Sequence, residues 1–148
     1  MRGVYTLLIE FPENGKIKVG RLGEISLQKG FYAYVGSALG GLENRIGRHL
    51  RREKRLQWHI DYLTQRGIIR RVVLAETERR MECEIAKILA HHLPSIPNFG
   101  STDCRCKSHL FFHQDMETLN ELVTNAFKDV GLSEYRIIDM EDRGLTRL

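Results

Sequence analysis

The sequence predicts a mixed fold of the α+β or layered α/β class, and three features support this. Apolar and aromatic runs of strand character come first, before residue 36; helical periodicity begins only at Leu42; and beyond it helical and strand patterns alternate. The 148 residues, 42% of them hydrophobic, suit one globular domain with a sizeable core.

Residues 3–11, rich in Val, Tyr, Leu and Ile, read as a strand stopped by Pro12 and Asn14-Gly15. Residues 16–19 and 24–27 read as a hairpin turning near Gly20 and Gly23, and 31–35 as a third strand. Gly36, Gly40 and Gly41 mark a loop before a helix over 42–55, with Leu42, Ile46, Leu50 and Leu56 on one face. A short helix over 58–65 ends at Gly67, and 68–75 is a strand. Thr77 can cap a helix over 78–93 that stops at Pro94, and 94–108 is irregular. A short strand over 110–112 and a helix capped by Asp115, running to about 128, complete the pattern, with 131–148 as a peripheral tail.

The net charge of +4 only permits an anionic partner, but its distribution is uneven: Arg45, Arg48, Arg51, Arg52, Lys54 and Arg55 face a single acid, Glu53. Three cysteines, an odd number, do not make a secreted disulfide framework. There is no apolar leader and no run near the roughly 18 residues of a membrane span, so a cytoplasmic protein without a membrane partner is expected.

On the helix from Leu42, His49 falls inside the apolar sector and Arg45 at its edge, while Arg48, Arg51, Arg52 and Arg55 share the outer side. The outer side is either a phosphate-binding face or a solvated surface, and His49 either a functional group or a satisfied core histidine. Glu82 lies on the stripe of Met81, Ile85, Ile88 and Leu89, where a carboxylate needs a partner: an ion pair, for instance with Arg45, or a metal. Tyr5 and Tyr34 lie in strands, where tyrosines commonly pack.

Gly3-Val4-Tyr5, Tyr34-Val35-Gly36, Arg45, His49 and Glu82 occur in an order that resembles the GIY-YIG nucleases. With Trp58-His59-Ile60-Asp61-Tyr62 and the segment 100–109, the chain to about residue 112 resembles the Uri-type branch of that superfamily, leaving 113–148 as a C-terminal helix and tail. The resemblance implies a small central antiparallel sheet of about three strands flanked by helices, here with an inserted hairpin over 16–27. It also implies a metal-dependent DNA endonuclease, an enzyme of DNA repair, recombination or processing. In that reading Tyr5, Tyr34, Arg45, His49 and Glu82 are catalytic. Glu82 holds one Mg²⁺ or Mn²⁺, Arg45 stabilises the transition state, and Tyr5 is the base or positions water. A tyrosine base requires its pKa of about 10 to be lowered by Arg45 and the metal. Gly36 and Ser37, with Arg48, Arg51, Arg52 and Arg55, contact nucleic acid. His59, Asp61, Asp103 and His109 brace or line the site. Ser37 stands where several members carry a lysine, and the family's asparagine has only Asn98 as a poor match.

Cys104-Arg105-Cys106 and His109 could bind zinc with Cys83 or His113 as fourth ligand; Cys83 could instead form a disulfide to this loop, or the loop could simply line the site. Cys-x-Cys is a weaker zinc pattern than Cys-x-x-Cys, so the expected cofactor is Mg²⁺ or Mn²⁺ and not structural zinc. The expected partner is DNA, with RNA open, and a homodimer or a targeting partner is an option. Two other functions compete with the nuclease: a non-catalytic nucleic-acid-binding module on the same fold, and a zinc-stabilised interaction domain.

Overall fold

The computed structural model describes residues 1–51 and 54–140. Its centre is a five-stranded sheet in the order β6-β4-β1-β5-β7. The strands are β1 (Gly3–Phe11), β4 (Gly30–Ala38), β5 (Ile68–Glu76), β6 (Leu110–His113) and β7 (Arg136–Asp139), and every neighbouring pair is antiparallel. A separate hairpin joins β2 (Gly15–Val19) to β3 (Gly23–Leu27). The helices are α1 (Leu42–Leu50), α2 (His59–Thr64), α3 (Glu82–Ala90) and α4 (Met116–Asp129).

β1 explains the layering. Its side chains alternate between faces, and both faces are buried. Tyr5, Leu7 and Ile9 pack with Leu42 and Ile46 of α1, Ile60 and Leu63 of α2, and Ile17, Val19 and Leu27 of the hairpin. Val4 and Leu8 pack with Met81 just before α3, with Ile85 and Leu89 of α3, and with Leu119, Val123 and Phe127 of α4. Among the described residues no helix is long and apolar enough to cross a membrane.

The mixed class and the extra hairpin agree with expectation, but the sheet has two more strands than the expected three. β6 is four residues long, and β7 lies inside the segment read as a tail. Two helices are shorter than their periodicity suggests. α1 stops at Leu50, and Leu56 is 43% exposed instead of continuing the apolar face. α3 begins at Glu82 because Thr77 accepts only the local Arg79 N–H, and the first buried anchor is Met81. Asp115 does cap α4, accepting the Thr118 N–H at 2.8 Å.

Candidate nucleic-acid interface and metal centre

On the α1/α2 face, β1 and β4 bring the two tyrosines to one surface. Tyr5 pairs with Gly36 and Leu7 with Tyr34, so Tyr5 and Tyr34 are diagonal neighbours. Gly36 is required here, since a Cβ would lie 2.5 Å from the Tyr5 hydroxyl. Both rings line a cavity of about 240 Å³, together with Arg45, Gln57, Trp58, His59, Gly100, Thr102 and Asp103.

The Tyr5 hydroxyl lies 2.7 Å from His49 Nε2. Burial holds the His49 pKa down at about 3, with Lys54 adding to the effect, so the ring is neutral. Its Nδ1 is buried without a partner. Burial also raises the Tyr5 pKa, with Tyr34 adding to the effect, and Arg45 offsets only part of this. Tyr34 is pushed up to about 12 by burial, again against the pull of Arg45. Both phenols are therefore protonated hydrogen-bond donors near neutral pH, the opposite of the lowering that a tyrosine base requires.

Arg45 donates to the Ser37 carbonyl at 3.2 Å, and its guanidinium lies 4.5 Å from the Trp58 ring centre. Among the described residues no carboxylate pairs with it. Ser37 Oγ donates instead to the Glu82 carboxylate, which also meets Arg80 at 4.0 Å. Glu82 stands in the first turn of α3, where the helix dipole favours an anion. His59 Nδ1 accepts the Gly100 N–H at 2.9 Å, which leaves Nε2–H as its donor when the ring is neutral, the form that burial favours.

The outer face of α1 divides. Arg48 does not stand free: it binds Asp61 through both nitrogens at 2.8 and 2.9 Å and lies 4.3 Å from the Trp58 ring centre. Asp61 is fully buried and also accepts the Gln57 and Trp58 N–H groups at 2.8 Å. Burial opposes its ionisation, but Arg48 and these N–H groups prevail and hold its pKa below the usual range. Arg51 and Arg55 are exposed, and Arg52 lies outside the described residues.

The second centre corrects the expected cofactor. Cys83, near the start of α3, meets Cys104, Cys106 and His109, and the four ligand atoms all lie within 4.8 Å of one another. His109 Nε2 is 3.4 Å from Cys104 Sγ and 3.8 Å from Cys83 Sγ. A tetrahedral zinc ion with ordinary bond lengths spaces sulfur and nitrogen ligands about 3.6 Å apart, so the cluster needs little movement to close on zinc. Burial depresses the His109 pKa, which supplies the neutral imidazole a metal takes. All three cysteines are free, so the disulfide reading does not hold, and Cys83 is the fourth member, not His113.

This sulfur and nitrogen set is a zinc-type site and does not suit Mg²⁺ or Mn²⁺, which take oxygen ligands. Glu82, the expected Mg²⁺ ligand, belongs to no cluster of possible metal ligands among the described residues. The expectation of Mg²⁺ or Mn²⁺ without structural zinc is thus overturned. Sequence reasoning also missed Gln57, Trp58, Gly100 and Thr102 as cavity residues. Trp58, Gly100 and Thr102 did lie within segments that carry the resemblance, which was the available signal for them.

Fold and site together define a layered α/β domain with a Cys₃His cluster beside a donor-rich cavity. The chain belongs to the family described as domain of unknown function DUF123, whose model matches residues 4–132. This family is distinct from the GIY-YIG nucleases, so the motif resemblance is not a family assignment. No curated protein and no solved structure matches the chain.

Proposed function

We propose that this chain is a zinc-braced nucleic-acid-binding domain. One observation carries the reading: the cavity joins the cation Arg45, free of any carboxylate partner among the described residues, to the neutral donors Tyr5 and Tyr34. Such a set suits a phosphate of a nucleic-acid backbone, DNA or RNA. The exposed Arg51 and Arg55 would add long-range attraction. The Cys₃His cluster supplies the brace. Because thiols must stay reduced to hold zinc, a cytoplasmic location is part of the proposal.

A second reading, phosphodiester cleavage in the same cavity, draws on the 2.7 Å contact between Tyr5 and His49. The raised tyrosine pKa values weigh against it, because they oppose proton abstraction.

Purified protein should contain one zinc per chain and bind a DNA or RNA oligonucleotide with an affinity that falls as salt rises. Zinc at one equivalent without affinity for either polymer would refute nucleic-acid binding and leave an interaction domain. Nicking of supercoiled plasmid by the zinc form, lost in Tyr5→Phe, would favour the second reading.

A further inference from the structure

The segment 99–109 serves both centres. It is closed by the His109 N–H donating to the Phe99 carbonyl at 2.8 Å, and the Val35 N–H donates to the His109 carbonyl at 3.0 Å, which fixes the segment to β4. It also passes between layers: Phe99 belongs to the core on the α1/α2 side, whereas Cys106 packs against the core beneath α3 and α4. Gly100, Thr102 and Asp103 line the cavity, and the next residue, Cys104, is a candidate metal ligand.

The wall meets the cavity at Phe99 and Gly100, and the Phe99 ring lies against both Tyr34 and His59. Gly100 donates to His59, and its φ of +70° suits glycine. A Cβ at Gly100 would meet Tyr34 Cε1 at 2.9 Å, so this backbone lies directly against the tyrosine ring. The fourth ligand, Cys83, comes from α3, where its neighbour Glu82 accepts the Ser37 hydroxyl; Ser37 in turn accepts Arg45 through its carbonyl. The two sides of the cluster therefore lead to the two sides of the cavity: one through Asp103 to the wall, the other through Glu82 and Ser37 to Arg45.

We infer that the Cys₃His cluster is a clasp by which metal occupancy sets the affinity of the Arg45 cavity for a nucleic-acid phosphate. The inference rests on the proposed function. With zinc bound, Cys104 and Cys106 are drawn to Cys83, which holds the wall of Thr102 and Asp103 against Tyr34 and Arg45. Without zinc, the thiols offer one another only weak hydrogen bonds, and the wall is held by the Gly100–His59 contact, the Cys104 N–H bond to Ser101 and the Phe99–His109 closure, none of which ties it to α3. Cys83 and Cys104 act as positioning residues, since they reach the ligand only through their neighbours.

The test uses the full chain and a fluorescein-labelled single-stranded 12-mer. Fluorescence anisotropy gives its affinity with zinc and after chelation, while circular dichroism follows the fold. Zinc removal is expected to weaken binding at least tenfold. By thermodynamic reciprocity, saturating 12-mer should tighten zinc binding by the same factor. Ser37→Ala cuts the link through Glu82 without touching the cluster. It should bind zinc within twofold of wild type when no oligonucleotide is present, yet lower the coupling to threefold or less. A merely structural metal would give a coupling that this substitution leaves unchanged, and that result would overturn the clasp. Should the metal-free chain lose its fold, the Co²⁺ form provides a second readout, in which the visible absorption band shifts when the 12-mer binds. An unshifted band overturns the clasp, as does equal affinity in the zinc and chelated forms. Failure to bind the 12-mer in either form refutes nucleic-acid binding itself, and the clasp with it.

Discussion

Replacing Asp61 by alanine tests how the cavity is held together. The carboxylate is fully buried and takes four hydrogen bonds, two from Arg48 at 2.8 and 2.9 Å and one each from the Gln57 and Trp58 N–H groups at 2.8 Å. Its removal strands a guanidinium and two backbone donors. Breaking a buried ion pair costs about 3–5 kcal/mol, and a stranded buried donor about 1–3 kcal/mol. These costs overlap, and the Arg48 side chain is 16% exposed and can recover some water. We therefore expect a loss of about 3 kcal/mol. For a chain of this size that corresponds to a fall in Tm of roughly 6–12 °C. Urea unfolding followed by circular dichroism, with m unchanged, would measure it. Arg48→Ala should cost a similar amount by leaving the carboxylate uncompensated, and the double variant should lose less than the sum of the two. A loss below about 1 kcal/mol for Asp61→Ala would refute the view that this carboxylate fastens α1 to α2.

Other perturbations separate the remaining contributions. The folded pKa of His49 is about 3, below its unfolded value near 6.5. The unfolded chain thus takes up a proton that the native ring refuses, and its stabilising contribution, complete above pH 6.5, is lost as pH falls towards 3. Urea unfolding should show a decline of up to about 1.4 kcal/mol per pH unit across that window, flattened in His49→Gln. Gly36→Ala places a methyl 2.5 Å from the Tyr5 hydroxyl and should cost about 1–3 kcal/mol in the same assay. Arg45→Ala should weaken oligonucleotide binding at least tenfold, whereas the exposed Arg51→Ala should mainly reduce the salt slope by about one. Equal effects of the two substitutions in anisotropy titrations would argue against a specific cavity.

The central elements were legible because burial and periodicity coincide in them. β1, β4 and β5 carry continuous apolar runs, as strands covered on both faces must. β7 was hidden because it has only Ile137 and Ile138 between charged residues, and Ile137 is 45% exposed at the sheet's edge. The helix after Gly41 was read too long because arginines and leucine have good helix propensity, yet nothing in the core receives Leu56. Tyr5, Tyr34, Arg45 and His49 stand out only through the resemblance to the GIY-YIG motifs, since residue type and spacing leave the tyrosines as packing and His49 as either functional or core, and they do meet. Glu82 is not decided by spacing alone. A carboxylate on an apolar stripe signals a partner but not its identity, and here a serine hydroxyl and Arg80 serve. The metal cluster was misjudged for a related reason: its fourth ligand lies on another element, so sequence spacing cannot record the tetrahedron.

The chemistry of the two centres is complementary. In the cavity, burial leaves the tyrosines protonated and weakens neutral His49 as a base, so Arg45 faces hydrogen-bond donors and only a poor proton acceptor. A site of this kind can hold an anion by charge-assisted hydrogen bonds, but it is poorly equipped to remove a proton from water. In the cluster, burial instead raises the Cys83 and Cys106 pKa values. Thiols in such surroundings ionise readily only when a cation replaces their protons. Zinc can meet that need with the fourth ligand supplied by His109, and the resulting tie joins α3 to the 99–109 segment that lines the cavity. Burial, the same physical agent, thus keeps the tyrosines protonated in one centre and disfavours free thiolates at Cys83 and Cys106 in the other. This is why we favour binding over cleavage for a chain whose motifs, taken in their order, resemble those of a nuclease.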